Sequence, residues 1–139
     1  MDKIVVGGYL ISDDISLMQI DRVYEMVSKT YWAQGRSVET VAQSIMNSLC
    51  FGIFKDGVQI GFARVLTDYA TLYYLLDVVI DENFRGLGLG KELIKYITGH
   101  EDLIGLTSWL ATSDAHGLYE QFGYVTQHDK GMRRAATVE

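Results

Sequence analysis

Proline is absent from the 139-residue sequence, and cysteine occurs once, at Cys50. A lone cysteine cannot form an internal disulfide, and no Cys/His cluster has the spacing of zinc ligands. A disulfide- or zinc-held scaffold is excluded, and no metal is expected. The missing proline has no physical explanation in this sequence. Long apolar runs are missing too, since none approaches the about 18 uncharged residues that a membrane-spanning helix requires. The opening MDKIVVGGYLISDD carries no small-residue cleavage site and runs directly into acids, so it reads as a strand rather than a signal peptide. Positive charge is in short supply. Twelve Lys and Arg face eighteen Asp and Glu, a net charge of −6, which argues against a nucleic-acid backbone as partner and weakly favours cationic ligands. Neither nucleic acid nor membrane is expected as a partner, and the expected location is cytoplasmic.

What is present has the balance of a globular protein, with 48% apolar and 22% charged residues. The length predicts one domain over 1–139, able to bury roughly two-thirds of its unfolded surface. Ile4 to Ile11 is an apolar run broken by Gly7-Gly8, which suggests an edge strand with a bulge. Val23, Tyr24 and Val27 recur at helical spacing between about Asp21 and Lys29. The polar interruption Tyr31-Trp32-Ala33-Gln34-Gly35-Arg36 follows, and Ser37 then has the chemistry of an N-cap for a helix carrying Val41, Ile45 and Met46. Residues 49–55 and 58–67 are β-rich runs joined by Asp56-Gly57, a hairpin signal. Leu72 to Ile80 is nearly all apolar, as in a strand buried on both faces. A helix with Leu89, Leu93, Ile94 and Ile97 on one face comes next. A strand near 105–112, a short helix near 114–121 and a final pair of strands complete a mixed α+β chain.

Between the apolar strand and the helix stands Arg85-Gly86-Leu87-Gly88-Leu89-Gly90-Lys91. Glycine lets a backbone approach an anion closely, and the first turn of a helix offers unpaired N–H groups and the positive end of its dipole. Arg85 and Lys91 supply counter-charge. Two phosphate-binding loops are excluded by spacing. A Walker A loop requires glycine where Arg85 stands and Ser or Thr where Glu92 stands; a dinucleotide fingerprint requires glycine at Lys91. The alternative is a tight strand-to-helix turn that binds nothing.

Arg85-x-x-Gly88-x-Gly90 resembles the R/Q-x-x-G-x-G/A signature of the GNAT acyltransferases, which bind acetyl-coenzyme A. Ala115-His116-Gly117-Leu118-Tyr119-Glu120-Gln121-Phe122-Gly123-Tyr124 resembles that family's A-x-x-x-Y-x-x-x-G-F/Y segment, in the right order and at the right distance. The resemblance covers about residues 45–126. It implies a mostly antiparallel, twisted sheet with a splay between the fourth and fifth strands, 72–80 and 105–112, flanked by about four helices. It implies acetyl-CoA as cofactor, with Val78, Val79 and Ile80 along the pantetheine arm and Arg85, Gly86, Leu87, Gly88, Leu89, Gly90 and Lys91 at the pyrophosphate. Thr112 occupies a position where many members carry a cofactor-binding Asn, so that contact is expected to be weakened or rearranged. A homodimer is left open.

For acetyl transfer to a primary amine in a ternary complex, the resemblance implies these roles. The N–H of Val79, or of a neighbour, polarises the thioester carbonyl. Tyr119, a phenol protonated at neutral pH, is the expected general acid toward the leaving thiolate, and its packing alternative is a core residue. Asp77 interrupts an apolar strand and is the expected base, directly or through water; the equal alternative is an ion pair with Arg64 or a backbone-capping role. His116 is a further base candidate. Tyr31, Trp32 and Arg36 are expected near the small-molecule or protein amine acceptor, where aromatic rings could hold an ammonium; the alternative for Tyr31 and Trp32 is packing at the helix corner. Asp68 reads as a turn acid. The competing readings are another acyl group or an alcohol acceptor, and a non-catalytic coenzyme A-binding or sensing module.

Overall fold

The computed structural model describes residues 3–137. Its elements are β1 (Lys3–Val6), β2 (Tyr9–Ser12), α1 (Ile20–Ser28), α2 (Val38–Met46), β3 (Leu49–Lys55), β4 (Val58–Thr67), β5 (Leu72–Ile80), α3 (Leu89–Thr98), β6 (Thr107–Trp109) and α4 (His116–Glu120). The strands form one sheet in the order β1-β2-β3-β4-β5-β6. All neighbours are antiparallel except β5 and β6, whose parallel pairing requires the crossover that α3 makes. This is the mixed α+β, mostly antiparallel architecture that the resemblance implies.

Local chemistry accounts for the hairpins. Asp56 and Gly57 both have positive φ, 51° and 80°, the backbone of a two-residue turn whose twist matches that of its strands. Gly7 and Gly8 do the same at 54° and 85°. The run from Ile4 to Ile11 is therefore not one bulged strand but two, with Val6 opposite Tyr9 and Lys3 opposite Ser12. Two consecutive left-handed residues reverse a chain rather than kink it. Ser37 caps α2 as expected, its side chain accepting from the N–H of Thr40.

Two apolar clusters lie on opposite faces of the sheet. On one, Leu89, Leu93, Ile94 and Ile97 of α3 pack on Phe51, Ile53, Ala63, Val65, Tyr73 and Leu75. On the other, Val23, Met26 and Val27 of α1 and Val41 and Ile45 of α2 cover Cys50, Phe62 and Val79. Met46, expected on the buried face of α2, is 72% exposed.

Residues 73, 75 and 79 should share a face, yet Val79 lies opposite the other two. The pairing of β4 with β5 explains it: the register shifts between Phe62 and Arg64, and Asp77 has a φ of 54°. One extra residue in a strand exchanges its faces from there on. The bulge falls at Asp77.

Three further expectations are corrected. The strand Leu72–Ile80 is not buried on both faces; burial alternates along it, with Leu72 and Tyr74 exposed, because the apolar cluster under α1 and α2 reaches only Val79 of this strand. Its outer neighbour spans only 107–109 rather than 105–112, and pairs with β5 through Leu72, Tyr73 and Tyr74 alone. Beyond Tyr74 the two strands part, which is the expected splay. No strand follows α4 among the described residues, so the final pair is absent. Val125 and Met132 there are 74% and 101% exposed, and without apolar burial nothing offsets the entropy of ordering a strand.

Candidate active site

The bulge places the carboxylate of Asp77 on the α1–α2 face, with a side chain 3% exposed. Oδ2 accepts from Arg64 Nε at 2.6 Å and from Arg36 Nη1 at 2.8 Å, and Oδ1 accepts from Trp32 Nε1 at 2.9 Å. Arg64 Nη1 also donates to Ser48 Oγ at 3.3 Å. Burial by itself would raise the carboxyl pKa. The hydrogen bonds and charges of Arg64 and Arg36 outweigh it and hold Asp77 below the usual carboxylate range. The ion-pair alternative is thus formed in full, and a carboxylate so well satisfied is a weak proton acceptor. Cys50 lies nearby, 2% exposed, its thiol pushed up to about 12 mainly by burial. Thiolate is the reactive form, so a thiol reagent should label the native protein only as fast as it unfolds. Rapid labelling of one thiol in a native mass spectrum would contradict this burial.

Tyr31 and Trp32, between α1 and α2, meet edge to face with centroids 4.9 Å apart. They do not fill a helix corner, since they are 55% and 41% exposed; Ala33 beside them is the buried residue of the segment. The Tyr31 hydroxyl accepts from Ser113 N–H at 3.2 Å and pairs with Ser113 Oγ at 2.7 Å. This contact ties the α1–α2 loop to the β6–α4 loop across the mouth of the splay. Sequence reasoning missed Ser113, which carries no motif signal and lies 82 residues from its partner.

Tyr119 of α4 is buried and packs edge-on to Tyr124 at 5.7 Å. Burial, with smaller contributions from Asp114 and Tyr31, pushes its phenol up to about 12, so it stays protonated at neutral pH. A cavity of about 1060 Å³ between β6, α4 and the C-terminal segment is lined by Tyr119, His116 and Thr112 among others. The Thr112 hydroxyl accepts from Ala115 N–H at 3.0 Å, so part of its capacity supports the turn into α4. Asp68 accepts from the N–H groups of Ala70 and Thr71, the turn role expected of it.

The glycine loop joins the end of β5 to α3. Gly86 and Gly88 have φ of 79° and 78°, and a Cβ placed on Gly86, Gly88 or Gly90 would meet no atom within 4 Å. Close packing therefore does not explain these glycines. The loop presents open backbone. No side chain caps α3, whose first-turn N–H groups face outward, and Leu87 is 60% exposed. Arg85 Nε donates to the carbonyl of Ile80 at 3.1 Å, which braces the loop against the end of the splayed strand. Arg22, another residue missed in the sequence, donates to Asp81 at 2.6 Å and fixes the strand end just before the loop. Lys91 is exposed. No cluster of metal ligands occurs among the described residues.

An anion-ready helix start, a strand parted from its neighbour and a buried tyrosine beside the parting define an acyltransferase-type site. The comparisons agree. Residues 46–126 match the acetyltransferase (GNAT) domain, and the chain belongs to that family. A GNAT-family protein from Xanthomonas campestris pv. campestris is 40% identical, covers 95% of this chain and 96% of its own, and superposes with a TM-score of 0.88. The uncharacterized N-acetyltransferase ycf52 of Gracilaria tenuistipitata var. liui is 30% identical over 92% of this chain and 74% of its own. An unconfirmed acetyltransferase of Gibberella zeae is 26% identical over 111 residues, and the match spans 63% of that protein. A Clostridium acetobutylicum protein solved with acetyl-CoA shares the fold at 12% identity and a TM-score of 0.68. No described helix is long and apolar enough to cross a membrane.

Proposed function

We propose that this protein is an acetyl-CoA-dependent N-acetyltransferase acting on the primary amine of a small molecule or protein by direct attack in a ternary complex. The observation that carries this is the open, left-handed glycine loop at the start of α3, set at the free end of the splayed β5. Family membership and the Clostridium relative's acetyl-CoA support it. The N–H groups of 86–91 would hold the pyrophosphate, with Arg85 and Lys91 as counter-charge. Val78, Val79 and Ile80, past the parting of β5 and β6, would line the pantetheine arm. Bound acetyl-CoA supplies an activated thioester carbonyl. The N–H of Val79, or of a neighbour, would donate a hydrogen bond to that carbonyl, and Tyr119 would hold the proton needed by the leaving sulfur. Asp77 supports the acceptor side through Trp32 and Arg36, and the amine sheds its proton to water. The acetylated amine and free coenzyme A leave the open mouth. A cytoplasmic location and a freely diffusing amine partner fit this reading.

The experiment is calorimetry with acetyl-CoA, followed by thiol release against a mixed amine panel. Gly88→Val should weaken acetyl-CoA binding about tenfold or more, because a left-handed φ costs a side chain about 1–2 kcal/mol and the branch fills the approach to the loop. Unchanged affinity in that variant removes the loop from the site. Binding without thiol release for any amine favours the sensing module instead.

A further inference from the structure

Three charged groups meet under the acceptor side, and they do not cancel. Asp77 carries one negative charge; Arg36 and Arg64 carry two positive charges. Arg64 is committed, bonded to Asp77 and Ser48 with a side chain 12% exposed. Arg36 differs. It gives only Nη1 to Asp77, and its side chain is 28% exposed. Its Nε and Nη2, the fork that matches a carboxylate or phosphate, make no hydrogen bond among the described residues. The exposed rings of Trp32 and Tyr31 belong to the same segment.

The other charges nearby do not fill that fork. Glu39, in the first turn of α2, forms no ion pair with Arg36 among the described residues. Asp114 lies by Tyr119 and forms no ion pair with Arg36 among the described residues. The glycine loop leads into α3, which packs on the opposite face of the sheet from α1 and α2. A pyrophosphate on that loop therefore leaves Arg36 available.

We infer that Arg36 is an anion-recognising residue for the acceptor, which is a primary amine that also carries a carboxylate or phosphate group. This inference rests on the N-acetyltransferase reading and narrows its substrate class. It reverses the expectation from net charge, because the charge that an acceptor meets is local: two guanidiniums around one carboxylate. The anionic group would take the Nε/Nη2 fork, and the amine would extend toward the splay, with Asp114 and Tyr119 beyond it.

The test uses matched amines, β-alanine against β-alaninamide and O-phosphoethanolamine against ethanolamine. Each is measured by acetyl transfer and by calorimetric binding to the protein saturated with coenzyme A. Wild type should favour the anionic member of each pair by about tenfold or more, the value of a partly solvated charge-assisted pair. In Arg36→Gln the ratio should fall close to one, while acetyl-CoA affinity stays within about twofold. Arg36→Lys keeps the charge without the fork and should retain part of the preference; it carries the test if Arg36→Gln fails to fold. Equal use of both members by the wild type overturns the subsite yet leaves the acetyltransferase reading standing. Binding of the anionic members without acetylation supports the subsite and overturns that reading. Loss of acetyl-CoA affinity in Arg36→Gln assigns the arginine to the cofactor and overturns the inference.

Discussion

Tyr119→Phe should transfer acetyl groups about 10²-fold more slowly than wild type in a single turnover, at the lower end of the range for general acid catalysis. The direction follows from a buried phenol that keeps its proton at neutral pH. The modest size follows from the same burial. A pKa of about 12 makes the phenol a weaker acid than one in water, so it protonates a thiolate with less driving force. The variant should fold normally, since the hydroxyl makes no hydrogen bond among the described residues and the ring still packs on Tyr124. Acetyl-CoA affinity should hold, so the loss falls in the chemical step. Single turnover matters because slow product release could hide that step in kcat. A rate within about twofold of wild type reduces Tyr119 to a core residue.

Asp77→Asn should lower stability by about 3 kcal/mol, because it leaves two guanidiniums facing each other over a buried, uncharged amide. The lower end of the usual range is expected because Arg36 keeps 28% of its side chain in water. The pH dependence has a definite sign. The folded pKa of Asp77 lies below its unfolded value of about 4, so its contribution is fully present above about pH 4. It is lost as pH falls through the folded pKa. Wild type and Asp77→Asn should therefore converge in denaturation experiments at low pH and differ most near neutrality. Turnover of the variant, measured where it stays folded, separates support from base catalysis. A loss under about tenfold fits support through Trp32 and Arg36. A loss beyond about 10²-fold, without the stability change, returns Asp77 to the role of base.

How much of this was legible in the sequence depended on the range of each signal. The Asp56-Gly57 turn and the apolar face of α3 are written in neighbouring residues, and both appear where they were expected. The glycine loop was legible for the same reason, since its spacing and its left-handed backbone lie within one short segment. Gly7-Gly8 was visible but read as a bulge, because two glycines permit either a kink or a reversal and only the pairing of Val6 with Tyr9 selects one. The expected final strands failed differently. Their residues allow an extended chain, but no partner in the sheet buries Val125 or Met132.

The sequence by itself determined the Asp56-Gly57 hairpin, the cap of α2, the open glycine loop at the start of α3 and the family resemblance, since each depends on residues a few positions apart. The tertiary structure alone decided which face of β5 carries the Asp77 carboxylate, because a single bulged residue there exchanges the faces of the strand. It also decided that Trp32, Arg36 and Arg64, drawn from 13 to 45 positions away, would share one carboxylate. The same folding closed Tyr31 onto Ser113 across 82 residues. Contacts of that range leave no periodicity to read. They exist only once the sheet has brought its loops to one edge, and the pairing of two guanidiniums with one carboxylate exists only there as well.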